Sequence, residues 1–206
     1  DLSDDMDEVK QMIYDSENGV IYVGGVVKGS ARRGVARVTV ESSKLRLDWV
    51  KPVDVKTGTP RLLLRTGKDE LLLLSKEFYA RVATDDGHTV FLREEKNLFL
   101  PEDDAVQAAY DAANDCVYST SVDKIKRHDV KSGDANWRFD WEDALLHYEG
   151  DRGDLGVKGM KSRAIHVTEN GLIHVIAEHG DKKDDEGWTS CFGVSVVSFS
   201  LARSPE

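Results

Sequence analysis

Cysteine is scarce in this sequence, and long apolar runs are missing. The two cysteines, Cys116 and Cys191, stand far apart and form no C-x-x-C pair. They predict buried free thiols in separate strands, with a disulfide between neighbouring repeats as the alternative, and they leave the redox compartment open. The longest apolar runs, residues 71–74 and 193–197, have the length of strands. We therefore expect no membrane insertion by this chain.

A surplus of positive charge is also missing. Lysine and arginine number 28 against 38 aspartates and glutamates, which gives a formal net charge of -10. Nucleic-acid binding depends on phosphate contacts from a basic face, so this balance argues against a nucleic-acid partner. The one compact basic loop, residues 28–34, lacks the glycine patterns of phosphate-binding loops, which favours a solvated hairpin connection.

Recognisable motifs for catalysis and for metal binding are absent as well. The sequence has no G-x-S-x-G elbow, no H-E-x-x-H and no P-loop. His166, His174 and His179 are close in sequence, but strand periodicity places His174 and Glu178 on one face and His179 on the other, so the set does not converge within one element. Residues 181–187 lack the alternation of a calcium loop. We expect no catalytic residue, no cofactor and no metal.

What the chain does have is an internal repeat. Four residues of one segment, together with an upstream glutamine, return 96 positions later in the same order. The matched pairs are Gln11 and Gln107, Tyr14 and Tyr110, Asp15 and Asp111, Asn18 and Asn114, and Tyr22 and Tyr118. Weaker copies at residues 63–73 and 166–174 give a period of about 50 residues, which is typical of propellers, solenoids or arrays.

Each copy opens with a predicted β-hairpin. Asn18-Gly19 and Asn170-Gly171 stand between β-rich apolar runs, and Asn114-Asp115 occupies the same slot. Asparagine and glycine tolerate the positive φ that a type I′ turn requires, so these pairs predict two-residue hairpin turns.

A third strand, a turn and an aromatic residue follow each of the first three hairpins. Trp137 stands four residues after Gly133, as Phe91 stands four after Gly87. The first copy lacks the glycine, but its Glu41 and Trp49 are eight residues apart, like Asp129 and Trp137. The recurrence predicts a shared packing of Trp49, Phe91 and Trp137 between neighbouring repeats.

Asp129-x-x-Ser132-Gly133-x-x-x-Trp137 resembles the docking motif of the PQQ-like, or quinoprotein-like, β-propeller repeat. The resemblance implies blades of four antiparallel strands in which Asp129, Gly133 and the aromatic residue dock one blade on the next. The quinone-dependent enzymes that share this repeat use adjacent cysteines beside the cofactor. Since Cys116 and Cys191 are not adjacent, the resemblance extends to the fold and not to the cofactor.

The predicted fold is an all-β propeller of about four blades in a single domain, residues 1–206. The blades span roughly residues 8–58, 59–103, 104–140 and 162–206, and the last one ends before its docking aromatic residue. Two explanations stay open. Either the ring closes at four blades by borrowing a strand from the N-terminal segment, or further blades belong to another chain or another stretch of a longer protein, which we favour.

An insertion, residues 141–161, separates the third blade from the fourth. Asp140 as N-cap, helical spacing of apolar residues and a glycine stop at Gly150 predict a short amphipathic helix that carries Trp141, Leu145 and Tyr148. A glycine-rich loop follows, with the tripeptide Arg152 to Asp154 that integrin ligands display. We consider Trp141, Leu145, Tyr148, Arg152 and Asp154 as candidate partner contacts, with a helix packed on its own sheet as the alternative.

The resulting hypothesis is a non-catalytic scaffold that binds protein partners or further blades within a larger assembly. Relatives that keep the PQQ-like repeat without the cofactor bind proteins, and they suggest a secretory-pathway lumen, a periplasm or an organelle lumen, although the sequence fixes no compartment. One alternative is an oxidoreductase fragment whose quinone or metal site is completed by missing blades. Another is adhesion through Arg152 and Asp154.

Overall fold

The described residues of this chain form β-strands almost throughout, with one short 3-10 turn. The computed structural model describes residues 2–29, 32–55, 58, 60, 62–67, 69–95, 107–120, 124–140, 159–168, 170–181 and 190–200. The chain divides into two compact units, unit 1, Asp1–Glu102, and unit 2, Asp103–Glu206, and the single domain stays a prediction. Among the described residues, no helix has the length and apolar character needed to span a bilayer.

Unit 1 contains two four-stranded antiparallel sheets, each formed by consecutive strands. Blade 1 follows a single 3-10 turn, Leu2–Asp4, and consists of β1 (Met6–Asp15), β2 (Val20–Val27), β3 (Arg32–Val40) and β4 (Leu45–Pro52). Blade 2 consists of β5 (Leu62–Thr66), β6 (Glu70–Leu74), β7 (Phe78–Ala83) and β8 (Thr89–Glu94). Strand β1, in the N-terminal segment, pairs with β2 in blade 1.

Unit 2 repeats the same arrangement. Blade 3 consists of β9 (Gln107–Asp111), β10 (Cys116–Thr120), β11 (Lys124–Asp129) and β12 (Ala135–Asp140). Blade 4 has three strands in the described part of the chain, namely β13 (Gly159–Val167), β14 (Leu172–Asp181) and β15 (Ser190–Ser200). The prediction of an all-β chain of four antiparallel blades is confirmed. Strand β13 begins inside the segment predicted as an insertion, and residues 141–158, with the predicted helix, lie outside the described residues.

The hairpin turns of blades 1 and 3 differ from the predicted two-residue type. Asp15 pairs with Val20, so four residues form the loop, and only its last residue, Gly19, has a positive φ of 62°. The Asp15 carboxylate accepts hydrogen bonds from the backbone N–H groups of Glu17 and Asn18 and from the Asn18 side chain. This side-chain capping stabilises the longer loop, which is why the I′ prediction is wrong.

The same capped loop recurs in blade 3, which explains the strongest part of the sequence repeat. Asp111 accepts from the backbone N–H groups of Ala113 and Asn114 and from the Asn114 side chain, at 2.7–3.2 Å. Asp115 replaces Gly19 in the left-handed region, with a φ of 46°. The identities at aspartate and asparagine are therefore requirements of one loop.

Blades 2 and 4 use a different, shorter loop that begins with threonine. Thr66 pairs with Glu70 across three residues, and its hydroxyl donates to the Glu70 carbonyl oxygen at 3.3 Å. Thr168 occupies the corresponding position, where its Oγ1 accepts from the Leu172 N–H at 3.0 Å. The two loop types alternate along the chain, so the 96-residue echo marks the repeat of a two-blade unit.

The core of unit 1 lies between its two blades. It combines one face of blade 1 with the almost wholly buried strands of blade 2. The buried members are Val20, Tyr22, Val35, Val53, Leu63, Leu71, Leu73, Phe78, Ala80 and Val82. The Gln11 side-chain oxygen also accepts a hydrogen bond from the Leu63 N–H at 2.7 Å, which satisfies a donor on the edge strand β5. The matched glutamine of the repeat thus has a structural role in unit 1.

Candidate interaction surface

Trp49, on the outer strand β4 of blade 1, contacts the β7–β8 turn of blade 2. Its indole Nε1 donates to the Asp85 carbonyl oxygen at 2.9 Å. Its ring lies against Gly87, which has a φ of 75°, and a Cβ built there would stand 2.8 Å from Trp49 Cε3 and Cζ3. Glycine is needed at this position both for its backbone conformation and for the close approach of the ring.

The β7–β8 turn of blade 2, which contacts Trp49, has the same hydrogen bond as the β11–β12 turn of blade 3. The Gly87 N–H donates to the Ala83 carbonyl oxygen, and the Gly133 N–H donates to the Asp129 carbonyl oxygen. Gly133 likewise has a positive φ, of 79°. Hydrogen bonds from the Ser132 backbone N–H and hydroxyl hold the pKa of Asp129 below its ordinary value. The aspartate and glycine of the docking motif therefore form the turn itself.

The other two docking aromatics occupy the position of Trp49 in their own blades. Phe91 packs on Tyr79 within blade 2, with ring centroids 6.0 Å apart. Trp137 pairs with Arg127 in the β11–β12 ladder, as Trp49 pairs with Arg37. The docking of these residues on neighbouring blades stays a prediction.

Blade 1 lacks the glycine turn, and the equivalence of its Glu41 with Asp129 is wrong. In the strand register Asp129 corresponds to Thr39, because Arg37 precedes Trp49 by twelve residues whereas Arg127 precedes Trp137 by ten. The β3–β4 hairpin is longer and closes tightly, with the Glu41 N–H donating to the Lys44 carbonyl oxygen. The equal spacing in sequence was a coincidence.

An arginine on the third strand of each complete blade was missed by the sequence analysis. Arg37, Arg81 and Arg127 each lie opposite the outer-strand aromatic residue, and the register shifts directly after each of them. The outer strands therefore carry one extra residue, Asp48, Val90 and Asn136 respectively, which is a β-bulge. A shared arginine ten or twelve residues before each aromatic residue was the available signal.

A buried histidine in blade 3 was also missed. His128 has no exposed surface, and its Nε2 lies 2.8 Å from Ser119 Oγ while its Nδ1 lies 3.2 Å from the Gly133 carbonyl oxygen. Since a carbonyl oxygen only accepts, Nδ1 carries the proton and Nε2 accepts from the serine hydroxyl. Burial lowers the pKa of His128 to about 4.

This histidine makes the stability of unit 2 dependent on pH. The pKa of His128 in the folded chain is about 4, below its ordinary 6.5, so the folded state resists protonation. Its contribution is fully present above pH 6.5 and is lost as pH falls towards 4, by up to about 3 kcal/mol. Urea unfolding at several pH values, with unit 2 followed by hydrogen exchange, measures this loss. The slope should be smaller in His128→Asn, and equal slopes in the two proteins would contradict the assignment.

The face of blade 1 opposite Trp49 is apolar and partly exposed. Cross-strand pairing aligns Val23, Ala36 and Val50 in one row and Ile21, Val38 and Leu47 in the next. Leu2 and Met6 cover part of this face. At its border Met12, Tyr14 and Leu45 are 63%, 61% and 67% exposed. We call the residues Met12, Tyr14, Ile21, Val40, Leu45, Leu47 and Val50 the blade 1 apolar face.

Tyr14 differs from its counterpart in unit 2. The hydroxyl of Tyr110 donates to Asp115 Oδ1 at 2.9 Å, and burial followed by this hydrogen bond raises the pKa of Tyr110 to about 12. In blade 1 the residue corresponding to Asp115 is Gly19, which offers no carboxylate. The two matched tyrosines of the repeat are therefore in different environments, and that of blade 1 is the more exposed.

The partner contacts predicted from sequence cannot be placed on either unit. Trp141, Leu145, Tyr148, Arg152 and Asp154 all lie outside the described residues.

The basic loop of blade 1 engages its own blade. Lys28 Nζ donates to the Ser3 carbonyl oxygen at 2.8 Å, and the Gly29 N–H donates to Asp7 Oδ2 at 3.3 Å. Arg33 Nε donates to the Gly58 carbonyl oxygen. These contacts agree with the interpretation of a hairpin connection.

One group of side chains has the composition of a metal site. Asp85, Asp86 and His88 bring potential ligand atoms within 4.8 Å of one another, and all three residues are exposed. His88 Nδ1 is 2.6 Å from Asp86 Oδ1, so these two side chains already hydrogen-bond each other.

Two further histidines lie in blade 4. His166 and His174 face each other across the β13–β14 ladder with stacked rings 6.4 Å apart. His174 hydrogen-bonds Ser198 through Nδ1.

Of the two cysteines, Cys116 is a free thiol buried in blade 3. Burial raises its pKa, which keeps the sulfur protonated and unreactive at neutral pH. Cys191 lies in β15, and its side chain is outside the described part. The free-thiol alternative therefore holds for Cys116.

Comparison with known proteins establishes the fold. No family model matches the chain, and no curated protein matches it. Among solved structures, the chain is similar to the WD40 domain of Pan2 from Neurospora crassa, with 8% identity and a TM-score of 0.52. That match covers 89% of this chain and 49% of the other. A protein from Lactobacillus plantarum matches with 11% identity and a TM-score of 0.52, over 92% of this chain and 56% of that one.

The chain thus spans about half the length of the structures it matches. At such low identity the likeness shows the fold alone. The chain has the β-propeller fold, whereas membership of the PQQ-like repeat family stays a prediction.

Proposed function

We propose that the chain is a non-catalytic β-propeller scaffold that binds protein through the blade 1 apolar face. The observation that carries the proposal is the exposure of this face. Met12 and Tyr14 on β1 and Leu45 on β4 are each more than half exposed on the same side of one sheet. Contiguous apolar surface of this kind is unusual on a protein that works alone, because water contact with apolar groups is unfavourable.

The composition of the face suits a protein partner. Tyrosine and methionine are enriched in interface cores, where tyrosine gives a large rigid contact area and methionine adapts its shape. Twisted sheets bury such faces against another sheet or a helix about 10 Å away. The partner that fits is therefore a protein domain with an apolar sheet or helix face, including a further propeller blade. Similarity to a WD40 domain is consistent with a binding role, since it places the chain in a fold that supplies rigid platforms.

The other face of blade 1 explains why this surface is available. Tyr22, Trp49 and Ile13 pack towards blade 2, so blade 1 is held rigidly from one side. A preformed surface loses little conformational entropy on binding, which favours affinity. One side of the blade 1 sheet would hold it against blade 2, and the other side would contact the partner.

Substitution at the exposed border of the face tests this function. Tyr14→Ser and Leu45→Ser should each weaken capture of the natural partner at least tenfold, since a large side chain that anchors an interface contributes about 2 kcal/mol or more to binding. Affinity purification from the source cells with quantitative mass spectrometry identifies the partner, and titration with the purified partner gives the dissociation constant. Val90→Ser, which changes an exposed apolar residue on the outer strand of blade 2, is the matched control.

The control should bind like the unaltered chain. If Tyr14→Ser and Leu45→Ser retain full affinity while every captured protein binds elsewhere, the proposal is wrong. Circular dichroism and thermal unfolding of all three variants confirm that each remains folded, because these side chains are mostly solvent-exposed.

A further inference from the structure

Two histidines of blade 4 face each other on neighbouring strands. His166 on β13 lies directly opposite His174 on β14 in the antiparallel register. Residues paired in this way have Cβ atoms about 4.5–5.5 Å apart, and their side chains leave the same face of the sheet. The two rings are nearly parallel, at 16°, with centroids 6.4 Å apart, and His166 is exposed. Periodicity along one strand does not bring these residues together, because they belong to different strands.

The corresponding position in blade 2 does not need histidine. Leu64 and Leu72 form the cross-strand pair at the same distance from the threonine loop of that blade. A pair of leucines therefore satisfies this position of the sheet, with the same loop type and the same strand order. Two imidazoles in their place add ring nitrogens that the fold itself does not require.

A serine on the next strand orients one of the two imidazoles. Ser198 of β15 pairs with His174, and its Oγ lies 2.7 Å from His174 Nδ1. When Nδ1 carries the proton and donates to this oxygen, the lone pair of the ring is on Nε2. Histidines that bind metals usually donate their other ring N–H to an oxygen in this manner, which fixes the tautomer and the ring orientation. The row of three side chains thus contains two nitrogen ligands and one group that positions a ligand.

We propose that His166 and His174 together bind one divalent transition-metal ion of the zinc, nickel or copper type. Imidazole nitrogen suits these ions, whereas calcium and magnesium prefer oxygen ligands. Bonds of about 2.0–2.1 Å from the metal to each nitrogen require the two nitrogens to lie about 3–4 Å apart. Rotation of the exposed His166 ring about its side-chain torsions reaches this geometry, because the Cβ atoms of the pair are close. Water would fill the remaining coordination positions, and the net charge of -10 favours the approach of a cation.

Calorimetric titration of the full chain with zinc chloride, in a buffer that does not chelate zinc, measures the site. We expect a dissociation constant of roughly 1–100 µM, because two ligands supply about half of the binding free energy that four ligands give in structural zinc sites. His166→Leu and His174→Leu should each raise this constant by about a hundredfold, since each removes half of the ligands. Both variants should remain folded, because blade 2 has leucine at these positions.

Two further substitutions test the positioning role of Ser198 and the location of the site. Ser198→Ala should weaken zinc binding by about tenfold, since a group that orients a ligating imidazole contributes a factor of about 10–100 to metal affinity. Ser198→Thr keeps the hydroxyl and should bind like the unaltered chain. His88→Asn is the matched control, because it changes an exposed histidine of unit 1 that lies beside Asp85 and Asp86. Its zinc affinity should be unchanged.

Electron paramagnetic resonance of the chain with one equivalent of copper(II) identifies the ligands. We expect the hyperfine pattern of two imidazole nitrogens in the unaltered chain. The same pattern should persist in Ser198→Ala and in His88→Asn, which keep both ligands. It should be lost in His166→Leu and in His174→Leu.

Several results would overturn the inference. These are no zinc binding below about 1 mM, an affinity that His166→Leu or His174→Leu leaves unchanged, or a copper spectrum with fewer than two imidazole nitrogens. Loss of binding in His88→Asn would place the metal in unit 1 and reject the blade 4 site, and full affinity of Ser198→Ala would reject the positioning role. The inference does not rest on the blade 1 apolar face. Tyr14→Ser should therefore bind zinc normally, and either proposal can fail without the other.

Discussion

Gly87→Ala is expected to destabilise unit 1 by about 2–5 kcal/mol. The added Cβ would stand 2.8 Å from two atoms of the Trp49 ring, on a backbone with a φ of 75°. The left-handed conformation costs a residue with a Cβ about 1–2 kcal/mol, and overpacking adds about 1–3 kcal/mol. Urea unfolding followed by tryptophan fluorescence measures the sum.

A control and a double-mutant cycle separate the two causes. Gly67 also has a positive φ, of 56°, but a Cβ built there meets nothing within 4 Å, so Gly67→Ala should cost only the backbone term of about 1–2 kcal/mol. Trp49→Ala removes the ring. The remaining close atom, Lys51 Cγ at 2.5 Å, belongs to a flexible side chain, so Gly87→Ala should then cost little more than Gly67→Ala. Equal costs of Gly87→Ala with and without Trp49 would contradict the contact between the two blades.

Asp15→Ala is expected to destabilise unit 1 by about 3–5 kcal/mol. The Asp15 carboxylate is almost completely buried, accepts three hydrogen bonds within its loop, and lies 2.7 Å from Arg65 Nη1 of blade 2. Removal leaves two backbone N–H groups and a partly buried guanidinium without their acceptor, and breaking a buried pair costs about 3–5 kcal/mol. Chemical unfolding of the variant gives the value directly.

The exposed loop neighbour Ser16 provides the control, since Ser16→Ala should change stability by less than about 0.5 kcal/mol.

The ion pair also predicts that unit 1 loses stability in acid. Burial opposes ionisation of Asp15, but the Asn18 hydrogen bonds and the Arg65 charge together hold its pKa below the ordinary 3.8. Its stabilisation is therefore present at neutral pH and lost as pH falls below about 4. An acid profile identical in Asp15→Ala and the unaltered chain would argue against the pair.

The sequence was informative where a local rule acts within one blade. Hairpins, strand order and the glycine turns at Gly87 and Gly133 follow from side-chain alternation and from the backbone freedom of glycine. The type of the first turn was predicted incorrectly because Asn18-Gly19 was considered without Asp15, whose carboxylate holds a four-residue loop. A capping side chain three residues earlier changes the loop length, and a dipeptide rule does not include it.

Contacts between residues that are distant in sequence could not be predicted from residue spacing. Nothing near Gln11 in sequence indicates that its side chain reaches the Leu63 backbone, or that Arg65 pairs with Asp15. His128 and Ser119 meet only because β10 and β11 pair in one register. The mistaken match of Glu41 with Asp129 has the same origin, because equal spacing was compared without knowledge of the longer β3–β4 hairpin.

The alternation of aspartate and threonine loops changes the meaning of the repeat. A 50-residue period describes one blade, but the stronger 96-residue echo relates unit 1 to unit 2, each with one loop of either kind. The glycine turn is found in blades 2 and 3 and is missing from blade 1. Blade 1 therefore offers no glycine turn of this kind for an aromatic residue of another blade.

Trp49, on the outer strand of blade 1, docks on the glycine turn of blade 2. Nuclear magnetic resonance measures this directly through the contact between Trp49 and Gly87. We expect cross-relaxation between the Trp49 ring protons and the Gly87 Hα protons, together with slow exchange of the indole N–H that donates to Asp85. A freely exchanging indole with no Gly87 cross-peak, in a folded chain, would contradict this docking.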